Sequence, residues 1–335
     1  MRELPPPAGW RAPGAAEPSA EERAIAAKLA SLERDATLEL EHAGQRYFAP
    51  ARADDLAALG LAYPDARLVA GATDVGLWVT KEQRELGTII YTGGVRELRA
   101  VAVEADAIAI GAAVSLHDAF ALLTEHYPSL AELCSRFGSL PIRHSGTLGG
   151  NVANGSPIGD SMPVLLALGA RLTLRCGSER RSLALEDFYV GYRQTALRPG
   201  EFVERVHIPR PQPGWEVRAY KISKRFDQDI SAVCVCFRLV RDTGGRVAEI
   251  AIGCGGVAAT PRRARTCEQA LTGTRWDDST IAAGEAALER EFAPISDMRA
   301  SAAYRGAVLK GLLRRFHLET TRPQTATRAV DYAAP

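Results

Sequence analysis

SGTLGGNVANGSPIGD, residues 145 to 160, sets five glycines, two asparagines and a proline into sixteen positions and closes on a carboxylate. A run so rich in breakers is not read as a helix, and it is too short for a disordered linker. It reads as a loop that approaches something closely. Gly146, Gly149 and Gly150 permit positive φ and leave no side chain in the way, while Thr147, Asn151 and Ser156 supply polar groups. Asp160, acceptor-only when ionised, suits sugar hydroxyls better than phosphate. A cluster of structural turns would have the same composition.

Two other glycine segments compete with it. In LVAGATDVG, residues 68 to 76, an apolar strand runs into Gly71, then Thr73-Asp74, then Gly76. Glycine directly after a strand lets backbone N–H groups reach a phosphate, and the Thr73 hydroxyl adds a donor. A strand turning into a helix capped by Thr73 or Asp74 would look the same. GCGGVA, Gly253 to Ala258, matches the relaxed G-x-G-x-x-A dinucleotide pattern but fails on context. That motif needs a helix N-terminus facing the pyrophosphate, whereas Pro261 and an arginine cluster follow here. It reads as a tight turn closing a strand, and no P-loop occurs.

At 335 residues the chain is long enough for two domains. With 41 basic against 40 acidic side chains, and a formal charge of +1, it has no general footprint for nucleic acid or an acidic membrane surface. No run approaches the roughly 20 apolar residues of a membrane-spanning helix. Six scattered cysteines, the nearest pair being Cys234-Val235-Cys236, lack metal or cluster spacing and read as free thiols. Together with the lack of an apolar export segment, they suggest the reducing cytoplasm.

Residues 1–18, rich in Pro, Gly and Ala, read as a flexible leader, and 19–40 as a helix and linker. Ser19 with Glu22 has capping-box spacing, and Ile25, Leu29 and Leu32 recur on one helical face. Alternating apolar strands and helical stretches over 41–213 argue for a first α+β domain, ended by Pro209, Pro211 and Pro213. Over 216–319 the pattern predicts three strands and then three helices. The last helix carries a stripe of Ala303, Ala307, Leu309, Leu312, Leu313 and Phe316. Residues 320–335 read as a disordered tail.

RLVAGATDVGLWVTK, SGTLGGNVANGSPIGDSMPVLLALGA and KISKRFDQDISAV, in this order, resemble the FAD-binding part of the molybdenum hydroxylases, most closely the small subunit of bacterial xanthine dehydrogenases. The resemblance runs from about residue 20 to 320. It implies a PCMH-type FAD-binding domain followed by a smaller α+β domain of the CO dehydrogenase flavoprotein C-terminal type. Electrons would reach FAD from a molybdopterin centre through [2Fe-2S] clusters and leave to NAD⁺ as hypoxanthine or xanthine is oxidised to urate.

Carried over by position, the resemblance implies that Arg67, Leu68, Val69, Ala70, Gly71, Ala72, Thr73, Asp74 and Val75, with Thr147, Gly149, Gly150 and Asn151, enclose the FAD pyrophosphate. Phe137 would lie beside the isoalloxazine, Asp160 at an acidic FAD contact, and Val203 at an apolar one. Lys221, with Arg225 and Asp229, would approach from the start of the second domain. On its own residues, Lys221 to Arg225 reads as a solvated basic strand end and Phe137 as core. FAD supplies the redox chemistry, so no catalytic side chain and no metal ligand are expected. The family's cluster-bearing N-terminal domains have no counterpart here. Partners are therefore expected to be a molybdopterin-binding large subunit and an iron–sulfur protein, unless truncation removed those domains. Another molybdenum hydroxylase, or a non-enzymatic FAD-binding remnant, remains an alternative.

Overall fold

A computed structural model describes residues 17–328. The proposed leader lies outside the described residues except for Glu17 and Pro18. Ser19 accepts from the Glu22 N–H and Glu22 returns a bond to the Ser19 N–H, so the capping box starts the helix Ala20–Ala30 as expected. No residue of that helix is buried, and the Ile25 and Leu29 face lies in solvent.

Three larger sheets follow, besides a two-stranded ribbon of Tyr189–Gly191 and Gln194–Thr195. The first has the spatial order Leu38–His42, Gln45–Ala49, Ile89–Tyr91, Arg67–Val69; its hairpin is antiparallel and its last three strands are parallel. Phe48, Leu56, Ile90 and Leu98 close a small core beneath it. The second is a five-stranded antiparallel sheet in the order Val101–Val103, Ala107–Gly111, Phe202–Pro209, Arg171–Cys176, Glu179–Ala184. The third is an antiparallel meander of Glu216–Ile222, Val233–Arg241, Val247–Gly255 and Arg262–Arg263, backed by the helices Arg265–Leu271, Asp278–Glu291 and Ala302–Thr321.

The helix Ser161–Leu168 joins the two halves. Its sequence SMPVLLAL is apolar on every face, and all eight residues are buried between the second and third sheets. Cys234 and Cys236, two apart on a strand, point to the same face and join the core formed around this helix, while Val235 and Phe237 face the C-terminal helices.

Three expectations change. The glycine-rich run does contain a helix, Leu148–Asn154, which Thr147 caps through the Gly150 N–H at 3.0 Å and Gly155 ends at φ 59. The supposed tail is ordered at its start. The last helix continues to Thr321, and Thr327 and Arg328 bond to Glu319 and Glu132, while 329–335 lie outside the described residues. The buried stripe of that helix is rotated: Ala303 and Ala307 are exposed, whereas Arg305 and His317 are buried beside Leu309, Leu312, Leu313 and Phe316.

Asp297 precedes that helix. Burial works to raise its carboxyl, but the N–H groups of Arg299 and Ala300 and the Arg305 guanidinium outweigh it and hold the group at about 2, against an ordinary 3.8. A carboxyl depressed by folding adds stability that is complete above its unfolded value and is lost as pH falls through the folded one. Acid titration followed by circular dichroism should show this contribution fading from pH 3.8 to about 2. The fading should be absent in Asp297→Asn.

Candidate functional site

The structure brings LVAGATDVG and the 145–160 run together. A Cβ on Gly71 would lie 1.9 Å from the Ser145 carbonyl oxygen, so backbone packs on backbone here and no other residue fits. Ser145 Oγ donates to the Gly71 carbonyl at 2.9 Å. Neither Thr73 nor Asp74 caps the helix Val75–Thr80; the Asp74 carboxylate instead accepts from Asn154 Nδ2 at 2.8 Å, reaching across to the second loop.

Ala72 adopts φ 56, which turns successive peptide groups toward one side. Among the described residues, the backbone N–H groups of Gly71, Ala72, Thr73 and Asp74 meet no protein acceptor. A short row of free amides after a strand, with a threonine hydroxyl beside it, fits a phosphate group.

The second loop contributes differently. Gly149 is buried, its N–H donates to Ala112 at 3.1 Å, and a Cβ there would fall 2.3 Å from the Ala112 Cβ. Gly150 donates to Thr147 Oγ1. Both glycines thus serve close packing and the cap, and their amides are already occupied. Asn151 Oδ1 accepts from Ser161 Oγ at 2.5 Å, tying the loop to the shared helix. Val203 pairs with Leu174 in the second sheet at a bulge next to Glu204. The Glu204 carbonyl accepts from Ala112, and so supports Gly149 at one remove.

Asp160 and Lys221, far apart in sequence, meet. Lys221 Nζ donates to Asp160 Oδ2 at 2.6 Å and to Ser231 Oγ at 2.9 Å, while Ser231 Oγ donates to Asp160 Oδ1 at 2.5 Å. The two charged side chains are 1% and 7% exposed, and Ser231 is 1% exposed. A closed, mutually hydrogen-bonded triad is what a buried charge pair requires. Lys221 is therefore no solvated strand end. Ser231 was missed in the sequence, where a serine between Ile230 and Ala232 carries no signal.

Phe137 is half-buried and edge-on to Phe120 at 5.1 Å. Its neighbour Arg136, also missed, reaches from the first domain to the Lys221 carbonyl at 3.0 Å, the Phe226 carbonyl at 3.0 Å and Ser223 Oγ at 3.2 Å. Arg225 and Asp229 pair with each other at 3.4 Å on the exposed loop that follows Lys221. No group of histidine, cysteine and acidic side chains able to hold a metal occurs among the described residues. No helix among them is long and apolar enough to cross a membrane.

The geometry defines a two-domain protein in which a row of unpaired loop amides is clasped to a glycine-rich segment, with a buried charged triad across the domains. The family pattern described as "FAD binding domain in molybdopterin dehydrogenase" matches residues 40–211, and the CO dehydrogenase flavoprotein C-terminal domain matches 218–320. The chain belongs to this family of FAD-binding chains of the molybdopterin dehydrogenases.

Among its relatives, the xanthine dehydrogenase of Emericella nidulans is 30% identical over 287 residues, covering 82% of this chain and 21% of that protein. The xanthine dehydrogenase/oxidase of Gallus gallus is 32% identical over 246 residues, covering 69% and 18%. The chain thus spans about a fifth of the length of these relatives. A chain of the carbon monoxide dehydrogenase from Hydrogenophaga pseudoflava superposes with a TM-score of 0.75 at 26% identity, covering 80% of this chain and 94% of that one.

Proposed function

We propose that this chain is the FAD-binding electron-transfer component of a xanthine-dehydrogenase-type complex. Electrons would arrive from a molybdopterin centre through [2Fe-2S] clusters on partner chains and leave to NAD⁺. The observation that carries the reading is the row of free amides at Gly71–Asp74, clasped to the 145–154 segment inside the region that matches the FAD-binding family. The loop Arg67–Val75 would hold the pyrophosphate. Thr147, Gly149, Gly150 and Asn151 would shape the opposite wall, and Phe137, Asp160, Val203 and Lys221 would border the rest of the cofactor.

Bound FAD accepts electrons singly or in pairs and gives up a hydride. The protein's own part is to bind and orient it: amides neutralise phosphate charge without a counter-cation, and the closed triad fixes two walls relative to each other. The six free cysteines suit a cytoplasmic setting.

A second reading, the flavin component of a carbon-monoxide-oxidising or other molybdenum hydroxylase, is favoured by the superposition on the Hydrogenophaga carbon monoxide dehydrogenase chain, with a TM-score of 0.75 at 26% identity. Reconstitution tests the shared part: the purified chain should take up about one FAD and show flavin absorbance without iron–sulfur bands, and bleaching by NADH supports the first reading. A chain that retains no FAD would sink both readings. In the complex isolated from its host, flavin reduction by xanthine supports the first reading and reduction by carbon monoxide the second.

A further inference from the structure

The glycine run Gly253–Gly256, the literal dinucleotide pattern, has a different employment in the fold. A Cβ on Gly253 would stand 2.0 Å from the Pro163 carbonyl oxygen, and one on Gly255 would be 3.0 Å from the Pro163 ring. The Gly256 N–H donates to the Pro157 carbonyl at 2.7 Å. The end of this strand is therefore the seat on which residues 157–163 of the first domain rest. Asp160 lies in the middle of that stretch.

Arg305 lies beneath the seat. It is 1% exposed, among the most deeply buried large side chains of the protein. Its Nη1 donates to the carbonyls of Ala232 and Gly256, the latter at 2.7 Å, and its Nη2 donates to Asp297 Oδ1 at 2.7 Å. Asp297 is itself held by the N–H groups of Arg299 and Ala300. Gly256 stands at φ 83, and a Cβ there would come within 2.3 Å of the Ala232 carbonyl oxygen and 3.1 Å of Arg305 Nη1, so the guanidinium fills the space against a bare backbone.

Each anchored carbonyl leads to one side of the triad. Ala232 is the residue after Ser231, and its N–H is tied to the Ile222 carbonyl, next to Lys221. Gly256 carries Pro157 and, through it, the stretch ending at Asp160. One nitrogen, Nη1, bridges the two carbonyls while Nη2 is tied to Asp297, so the planar guanidinium holds the bridge in a fixed orientation, which a flexible point charge does not.

We propose that Arg305 is a positioning residue that sets the Asp160–Lys221–Ser231 triad, and with it the wall of the FAD site, by pinning the Ala232 and Gly256 carbonyls to Asp297. The proposal rests on the FAD reading for its functional consequence but not for its structural core.

The test is a double-mutant cycle of Arg305→Lys and Ser231→Ala, two residues whose side chains make no hydrogen bond to each other. It is read twice, as FAD dissociation constant by flavin fluorescence and as urea unfolding of the FAD-free protein. Arg305→Lys should weaken FAD about tenfold and shift the bound flavin's midpoint potential, and adding Ser231→Ala should cost little more. The same non-additivity should appear in the urea cycle. Wild-type FAD affinity and potential in folded Arg305→Lys, or additive effects in both measurements, would overturn the proposal. A wild-type chain that binds no FAD while the urea cycle is non-additive would remove the FAD reading and leave the pinning intact. Arg305→Met extends the series if it folds.

Discussion

Lys221→Met should be the most damaging single substitution in this protein. It removes the ammonium and leaves the Asp160 carboxylate buried with Ser231 alone as partner. Breaking a buried pair from one side costs about 3–5 kcal/mol, because the surviving charge has lost its compensation in a poorly solvated place. Against a total stability of about 5–15 kcal/mol, that brings the folded state close to its limit. Urea unfolding should show the loss, and Lys221→Met combined with Asp160→Leu should recover much of it, since no lone charge then remains. A loss under about 1 kcal/mol for Lys221→Met would show that water reaches the pair.

Gly71→Ala should have the largest effect on cofactor binding. Its methyl would sit 1.9 Å from the Ser145 carbonyl oxygen and 2.7 Å from the Gly146 Cα, both of them backbone, so no side-chain rotation relieves the contact. The two loops must part, and with them go the Ser145 bond to Gly71 and the Asn154 bond to Asp74. FAD affinity should fall by about a hundredfold or more, equivalent to about 2.7 kcal/mol. Gly76→Ala, where nothing lies within 4 Å of the added methyl, is the matched control and should bind FAD as the wild type does. Fluorescence titration of both variants decides it; equal affinities would place the cofactor away from these loops.

Much of this organisation could be read before any coordinates. Ser19 and Glu22 announce a capped helix, and Pro209 to Pro213 mark the crossing between the second and third sheets, both from local chemistry. The helix Leu148–Asn154 could not be read this way. Its glycines lower its intrinsic propensity, but Ala112 admits only a bare backbone at Gly149, and the Thr147 cap starts the helix.

Arg305 escaped for a related reason. An arginine inside an apolar pattern is assigned to solvent, and the alanines two residues to either side then define the wrong stripe. Only the fold brings three oxygens to its guanidinium. Asp160 and Lys221 were each noticed through family position, but their meeting spans 61 residues and has no trace in either local sequence.

The fully buried helix Ser161–Leu168 sits in a single core that takes in the second sheet and the inner face of the third. Domains that meet over a modest polar surface can hinge, but here a hinge motion would have to strip eight residues of their apolar surroundings. The two walls beside this helix therefore keep a set spacing from the moment the chain folds. In the proposed FAD site, entry and exit of the cofactor then fall to the exposed loop after Lys221 rather than to a hinge.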